Sequence, residues 1–282
     1  MSSRALLLVD ADPAVQEGLA QSLRRENRTI EIAPDGHDAL ARLRAASWDL
    51  LVAGQTNNGL DGLKLLRRAR AIRPDLKVIV AGDPDPQQAV RALRDRAYGY
   101  IHKPVALAAL AELVQQALDS DSWQEDLRVL SALPEWVTLE LRCRMEAVER
   151  TTHHVREVLS DLPTQVCEDI AIAFRELLMN AVEHGGKYDP RKRVCTSVLR
   201  TGRSVVIHIA DPGQGFSLDF LPHAAVSNPD GSPTQHVEFR TGQGQRPGGF
   251  GILMSRQLVD ELIYNERGNA VLFVKYLSEP QP

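Results

Sequence analysis

Five short apolar runs, each followed by an amphipathic segment, organise the first 118 residues: ALLLV (5–9), TIEIA (29–33), DLLVAG (49–54), KVIVAG (77–82) and YGYIHK (98–103). Strands of about five residues separated by helical stretches of roughly 10–20 residues point to a parallel sheet, because parallel neighbours require crossover connections. The pattern predicts a doubly wound domain with helices on both faces. In that architecture chemistry gathers beyond the carboxyl ends of the strands, so the residues that end each run carry the information.

At or beside those ends stand Asp10, Gly54, Ala81 and Lys103-Pro104, with Asp61-Gly62 nearby. Together they resemble a response-regulator receiver domain over about residues 4–119, which implies a flavodoxin-like (βα)5 fold. The family carries two adjacent acids after its first strand, and the run Val9-Asp10-Ala11-Asp12-Pro13 puts Asp10 on the first and Ala11 on the second. The family's phospho-accepting aspartate lies seven residues before the Asp of the Asp-Gly pair, and counting back from Asp61 lands on Gly54. The family's hydroxyl residue after the fourth strand falls on Ala81, leaving only Asp10 and Lys103 of the pattern. The losses form a consistent set, since without an acceptor there is no anion for a hydroxyl to bind. A receiver-like domain that is not phosphorylated and works through protein contact is expected; Asp12 as a substitute acceptor is the alternative, and charge alone does not place a carboxylate in line for attack.

The chain has 282 residues, 43% of them hydrophobic, enough for two ordinary cores. With 37 acids against 33 bases and a net charge of −4, it lacks the footprint of a phosphate-backbone binder, and no nucleic acid partner is expected. No stretch approaches the roughly 18 apolar residues of a membrane span, and the apolar run ending at Asp10 is too short for a signal peptide. A cytoplasmic protein without membrane contact is expected. Cys143, Cys167 and Cys195 form no CxxC pair and read as small core residues. Residues 1–119 are assigned to the first domain and 135–282 to the second. Between them, residues 120–134 (SDSWQEDLRVLSALP) read as a linker or weakly helical signalling element.

In the second domain WVTLELR (136–142) reads as a strand, followed by helices over 145–159 and 165–183. Two strands, RVCTSVLR and SVVIHIA, a long loop from Asp211, a helix over about 249–262 and a closing hairpin through Arg267-Gly268-Asn269 complete an α/β layer with mostly antiparallel pairing. Three segments carry chemistry. In FRELLMNAVEHG (174–185), Glu176, Asn180 and His184 share one helical face within about 80°, opposite Ile170, Phe174, Leu177, Leu178 and Ala181. By itself this stripe also fits a solvated helix face. In DPGQGF (211–216), a carboxylate at a strand end accepts hydrogen bonds without donating, which suits the amino group of adenine. Gly213 and Gly215 leave room for a flat base or a sharp turn, although the segment alone is also an ordinary turn. In RPGGFGILM (246–254), Gly248, Gly249 and Gly251 lead into a helix whose free N–H groups favour phosphate.

The three segments in this order resemble the N box and the two glycine boxes of the Bergerat-type ATP-binding fold shared by gyrase, the Hsp90 chaperone, histidine kinases and mismatch-repair ATPases. Within that group the chain is most similar to anti-sigma-factor serine kinases, over about residues 134–278. The resemblance implies a Bergerat-type α/β sandwich that binds ATP and Mg²⁺. Asn180 would hold the cation, and Glu176 would take the proton of a serine or threonine hydroxyl on a partner protein. Asp211 would bind adenine, Gly213 and Gly215 border the base, Gly248, Gly249 and Gly251 cradle phosphates, and His184 would either line the nucleotide site or cap or pack at the helix end. The implied substrate is a STAS-type anti-sigma antagonist in a partner-switching pathway. A sigma factor or another regulator is a further expected partner, and a homodimer the expected assembly. The segment from Leu218 to Gln245 is long for this family's lid.

Three other readings compete with a kinase, of which a conformational clamp driven by ATP hydrolysis, as in gyrase or the chaperone, lacks the additional domains those machines use. A histidine kinase would use the same ATP fold, and Thr152-His153-His154 resembles a phospho-accepting segment. These histidines precede Glu176 by only 23 and 22 residues, too few for a two-helix dimerisation domain, and they read as exposed polar positions. A silent nucleotide-dependent binding protein or anti-sigma scaffold would not need Glu176 beside Asn180.

Overall fold

The structure, a computed structural model, describes residues 4–10, 12–22, 28–55, 60–215 and 251–277. They fall into two compact units. One reaches to Glu125 and includes Arg156–Asp161; the other holds Asp126–Val155 and the described residues from Leu162 onward.

The first unit alternates β1 (Arg4–Val9), α1 (Pro13–Ser22), β2 (Arg28–Ile32), α2 (Gly36–Ala45), β3 (Leu50–Ala53), α3 (Gly62–Ile72), β4 (Lys77–Gly82), α4 (Pro86–Arg94), β5 (Gly99–His102) and α5 (Leu107–Asp119). All five strands are parallel in the order β2-β1-β3-β4-β5, the flavodoxin-like doubly wound arrangement. The apolar runs explain the placement: β3 and β4 are buried at every position, as strands covered on both faces must be, whereas edge strand β2 is only partly covered. Aspartates start three of the helices. Asp35 accepts from the N–H groups of His37 and Asp38, Asp61 from that of Lys64, and Asp85 from that of Gln87 with Pro86 beginning the turn.

The junction departs from the sequence reading. A short helix, α6 (Trp123–Asp126), places Trp123 in the first unit's core, 6.0 Å from the ring of Tyr98 and under the guanidinium of Arg70 at 5.3 Å. Residues 127–133 are a strand, β6 (Leu127–Leu133), and not a linker or signalling helix. Pro134 stops any helix there, and the Pro134-Glu135 turn folds LRVLSAL back antiparallel onto β7 (Trp136–Arg142).

The second unit continues with α7 (Met145–Val158, whose residues from Arg156 on belong to the first unit), α8 (Thr164–Asn180), a π-helical turn (Ala181–Gly186), β8 (Arg193–Arg200), β9 (Ser204–Ala210), α9 (Gly251–Leu258), β10 (Glu261–Tyr264) and β11 (Ala270–Tyr276). Its six strands form one antiparallel sheet in the order β10-β11-β9-β8-β7-β6. Alternation decides which face is covered: Val137, Leu139 and Leu141, Val194 and Val198, Val205, Ile207 and Ile209, and Val271 and Phe273 are buried, while Trp136, Leu199 and Ile263 are exposed. The last helix ends earlier than expected. Leu262-Ile263-Tyr264 belong to β10, because β-branched and aromatic residues after Asp260 pair with β11 instead of extending the helix. Lys275 ties three elements together, donating to Asp169 Oδ2 on α8 at 3.2 Å and to the carbonyl of Leu258 at 2.7 Å.

Helix α7 corrects a second expectation. His154 is buried, as are Arg150, Thr151 and Thr152 beside the apolar Ala147, Val148 and Val155. His154 is therefore no exposed polar position. Cys143 and Cys167 are buried as anticipated and Cys195 half-buried; burial pushes the Cys143 thiol up to about 11. Among the described residues no helix is long and apolar enough to cross a membrane.

Candidate functional site

Helix α8 is positioned by its apolar stripe. Cys167, Ile170, Ala171, Phe174, Leu177 and Leu178 are buried, which turns Glu176 and Asn180 to the other side. Both side chains reach the start of α9. A β-carbon at Gly251 would lie 2.8 Å from Glu176 Oε2 and 3.6 Å from the Asn180 side-chain nitrogen, so the two polar groups converge on the first residue of that helix. A larger residue there would push Glu176 away. The Glu176 side chain is 15% exposed, and its other oxygen, Oε1, lies 3.5 Å from Nη1 of Arg175.

After Asn180 the backbone widens into the π-helical turn, which ends in two consecutive non-glycine residues of left-handed conformation, Lys187 (φ 58°) and Tyr188 (φ 54°). That conformation costs roughly 1–2 kcal/mol per residue and persists only where the surroundings hold it. Here the N–H groups of Lys187 and Tyr188 both reach the Val182 carbonyl, and the Tyr188 hydroxyl lies 3.3 Å from Glu183 Oε2. His184 lies in this widened turn, partly exposed, 4.0 Å from Glu183 Oε1. It therefore leaves the regular i, i+4, i+8 stripe that the sequence suggested, since a π turn does not keep the α-helical angle.

A second cluster forms around Asp211, which follows β9 directly. Its Oδ1 accepts from the Gly213 N–H at 2.7 Å, and its own N–H donates to the Asn269 carbonyl at 2.9 Å. The carboxylate presses against the end of the π-helical turn: a β-carbon at Gly185 would sit 2.1 Å from Oδ1. Burial raises the Asp211 carboxyl above its ordinary range, opposed by the Gly213 N–H and by the charge of Arg267. Gly215 has φ 83°, and a β-carbon there would lie 1.8 Å from the Arg267 carbonyl, so the loop is stapled to the β10–β11 turn. Asn180 and Gly185 are five residues apart on one helical segment, about 7 Å along its axis. The two clusters therefore lie near one another on a single support. Gly248, Gly249, Phe216 and the stretch from Leu218 to Gln245 fall outside the described residues.

At the carboxyl edge of the first unit's sheet, Asp10 is almost wholly buried. Its Oδ1 accepts from Lys103 Nζ at 2.9 Å and from the Asp12 N–H at 2.9 Å, while Oδ2 finds no hydrogen-bond partner among the described residues. Gly54 lies opposite, and a β-carbon there would be 1.9 Å from Asp10 Oδ2. The Asp10 carboxylate thus fills the space in which a side chain at position 54 would begin. Ala81, at the end of β4, is buried.

Residues 6–115 match the family model described as the response regulator receiver domain, and residues 141–275 match that of the histidine kinase-like ATPase domain. The chain joins a receiver domain to a histidine kinase-like ATPase domain. Among curated proteins it is 32% identical over 114 residues to the C4-dicarboxylate transport transcriptional regulatory protein DctD of Rhizobium meliloti, covering 40% of this chain and 25% of that one. It is 34% identical over 122 residues to the response regulator MprA of Mycobacterium ulcerans, covering 43% of this chain and 53% of the relative. The chain thus spans between a quarter and about half of the length of these relatives. Among solved structures, the CheY-like receiver domain protein of Methanospirillum hungatei is 30% identical, with a TM-score of 0.39, covering 42% of this chain and 95% of that one. The receiver domain has the expected flavodoxin-like fold, and the ATPase domain, whose family implies ATP binding, is the expected α/β sandwich with an antiparallel sheet. Two features were missed at the sequence level: the π-helical turn, for which no propensity rule gives a signal, and the pairing of Arg175 with Glu149. The latter joins residues 26 apart and leaves no local signal.

Proposed function

We propose that this protein is a signalling regulator whose ATPase domain binds ATP with Mg²⁺ and transfers the γ-phosphoryl group to a serine or threonine hydroxyl of a partner protein. The observation that carries this reading is the convergence of Glu176 and Asn180 on the start of α9. The donor set fits magnesium, which keeps waters and phosphate oxygens and needs few protein ligands. Asn180 would hold the cation through its amide oxygen. When bound, the cation offsets phosphate charge. Glu176 accepts the hydroxyl proton as the hydroxyl oxygen bonds to the γ-phosphorus; the bond to the β–γ bridging oxygen breaks and ADP leaves. Asp211 accepts from the adenine amino group, and Gly251 lets the helix start approach phosphate. His184, at the turn, borders the site.

The sequence likeness makes a STAS-type anti-sigma antagonist the partner class of this proposal, in a cytoplasmic partner-switching pathway with the chain as a homodimer. We read the receiver domain as not phosphorylated: Gly54 offers no carboxylate, Ala81 no hydroxyl, and Asp10 is already engaged with Lys103. Acetyl phosphate or beryllofluoride is accordingly expected to leave its spectra unchanged, and a phosphorylated peptide from residues 4–119 in the mass spectrum would reverse that reading.

Calorimetric titration of the full chain with ATP, with and without Mg²⁺, tests the site. Magnesium-dependent binding is expected, weakened at least about tenfold by Asn180→Ala, equivalent to about 1.4 kcal/mol. Absence of binding would leave the chain a scaffold.

A further inference from the structure

We propose that Arg175, held in place by Glu149 of α7, is a positioning residue that aims Glu176, an inference that rests on the reading of Glu176 as the proton acceptor. Neighbours in sequence diverge by about 100° on a helix and do not face one another. The approach of Arg175 Nη1 to within 3.5 Å of Glu176 Oε1 is therefore not supplied by helix geometry. Glu149 supplies it. Its Oε1 and Oε2 accept from Arg175 Nε at 3.1 and 3.0 Å, and its Oε1 also accepts from Nη2. A guanidinium is planar and its donors are fixed in a fork, so a carboxylate on the Nε–Nη2 edge dictates where Nη1 points. Here it points at Glu176 Oε1, which leaves Oε2 as the oxygen on the Gly251 side.

The exposures run in the same direction. Glu149 and Arg175 are 32% and 37% exposed at the side chain, and Glu176 only 15%, so the chain of charges leads from solvent into the site. An isolated surface ion pair contributes roughly 0–1 kcal/mol to stability, so stability alone gives this three-membered arrangement little purpose. Orientation is different, because a misplacement of about 1 Å at a reacting group can cost roughly 100-fold in rate.

The test follows turnover of MgATP by the full-length chain, with water standing in for the partner's hydroxyl, alongside MgATP affinity by calorimetry. Arg175→Ala is expected to lower kcat about 10- to 100-fold with the ATP affinity within about twofold of wild type. Arg175→Lys restores charge but not the fork and is expected to recover only part of the loss. Free guanidinium ion is expected to restore turnover to Arg175→Ala, and not to a chain that also carries Glu176→Gln. Glu149→Gln should slow the wild-type chain several-fold and the Arg175→Ala chain not at all, since it acts only through Arg175. If Arg175→Ala turns over as fast as wild type while Glu176→Gln is inactive, the role of Arg175 falls and that of Glu176 stands. A wild-type chain that binds MgATP but transfers its phosphoryl group neither to water nor to a STAS-domain protein, or a Glu176→Gln chain of full activity, overturns Glu176 as proton acceptor and the positioning role with it.

Discussion

Glu176→Gln is expected to reduce phosphoryl transfer from ATP by a factor of about 10²–10⁴, the usual contribution of a positioned general base. The substitution keeps the shape of the side chain and its contact with Gly251 while removing the basic oxygen. Nucleotide affinity should therefore stay close to that of wild type, and so should the cooperative unfolding of the ATPase domain. Transfer to water or to a STAS-domain protein, followed beside calorimetric binding of MgATP, separates the two quantities. Loss of both together would make Glu176 a binding group, and loss of neither would remove it from the chemistry. Asn180→Ala, by contrast, should act on binding first, so the pair of variants distinguishes two neighbouring residues by the step each affects.

The second large effect is expected in the receiver domain. Lys103→Met should destabilise it by about 3–5 kcal/mol, because it leaves a buried carboxylate without its countercharge. The Asp10 side chain is 1% exposed, Lys103 is 23% exposed, and among the described residues the Asp10 Oδ2 atom has no hydrogen-bond partner. Partial access of water to the lysine places the expected value toward the lower end of that range. The double variant Asp10→Ala, Lys103→Met should recover most of the loss, since the cost belongs to the unpaired charge and not to the missing contact. Urea unfolding followed by tryptophan fluorescence can read this, with Trp123 buried in the receiver core. A Lys103→Met chain as stable as wild type would mean that Asp10 is not held as an ion pair.

Much of this architecture was legible from residue order. The apolar runs ending at Asp10, Gly54, Gly82 and Lys103 fall at or next to the ends of parallel strands, and the second half's strands at 136–142, 193–200 and 204–210 match their predicted spans. These were readable because burial on one or both faces imposes a period on the sequence. What escaped has a common cause in tertiary context. LRVLSAL (127–133) carries a bulge between Val129 and Ser131 that breaks its alternation, so its strand character comes from β7 beside it. The last helix stops at Leu258 because β11 offers a pairing edge, which no local propensity encodes. The contact of Glu149 with Arg175 joins residues 26 apart. Asp10 filling the space beside Gly54 likewise depends on two strands being neighbours.

The widened turn after Asn180 can be regarded as one surplus residue absorbed by a helix. Each residue subtends about 100°, so such an insertion sets the two parts of the segment out of phase by about that angle. Upstream, Glu176 and Asn180 look toward α9; downstream, Gly185 looks toward Asp211. In an unbroken α-helix Gly185 would stand about 180° from Glu176 and about 140° from Asn180, so the surplus residue re-aims the end of the segment by about 100° and brings Gly185 onto Asp211. Deleting a single residue between Ala181 and Gly186 would swing Gly185 by about 100° away from Asp211 and detach one end of the site from the other, with the hydrophobic face of α8 left intact.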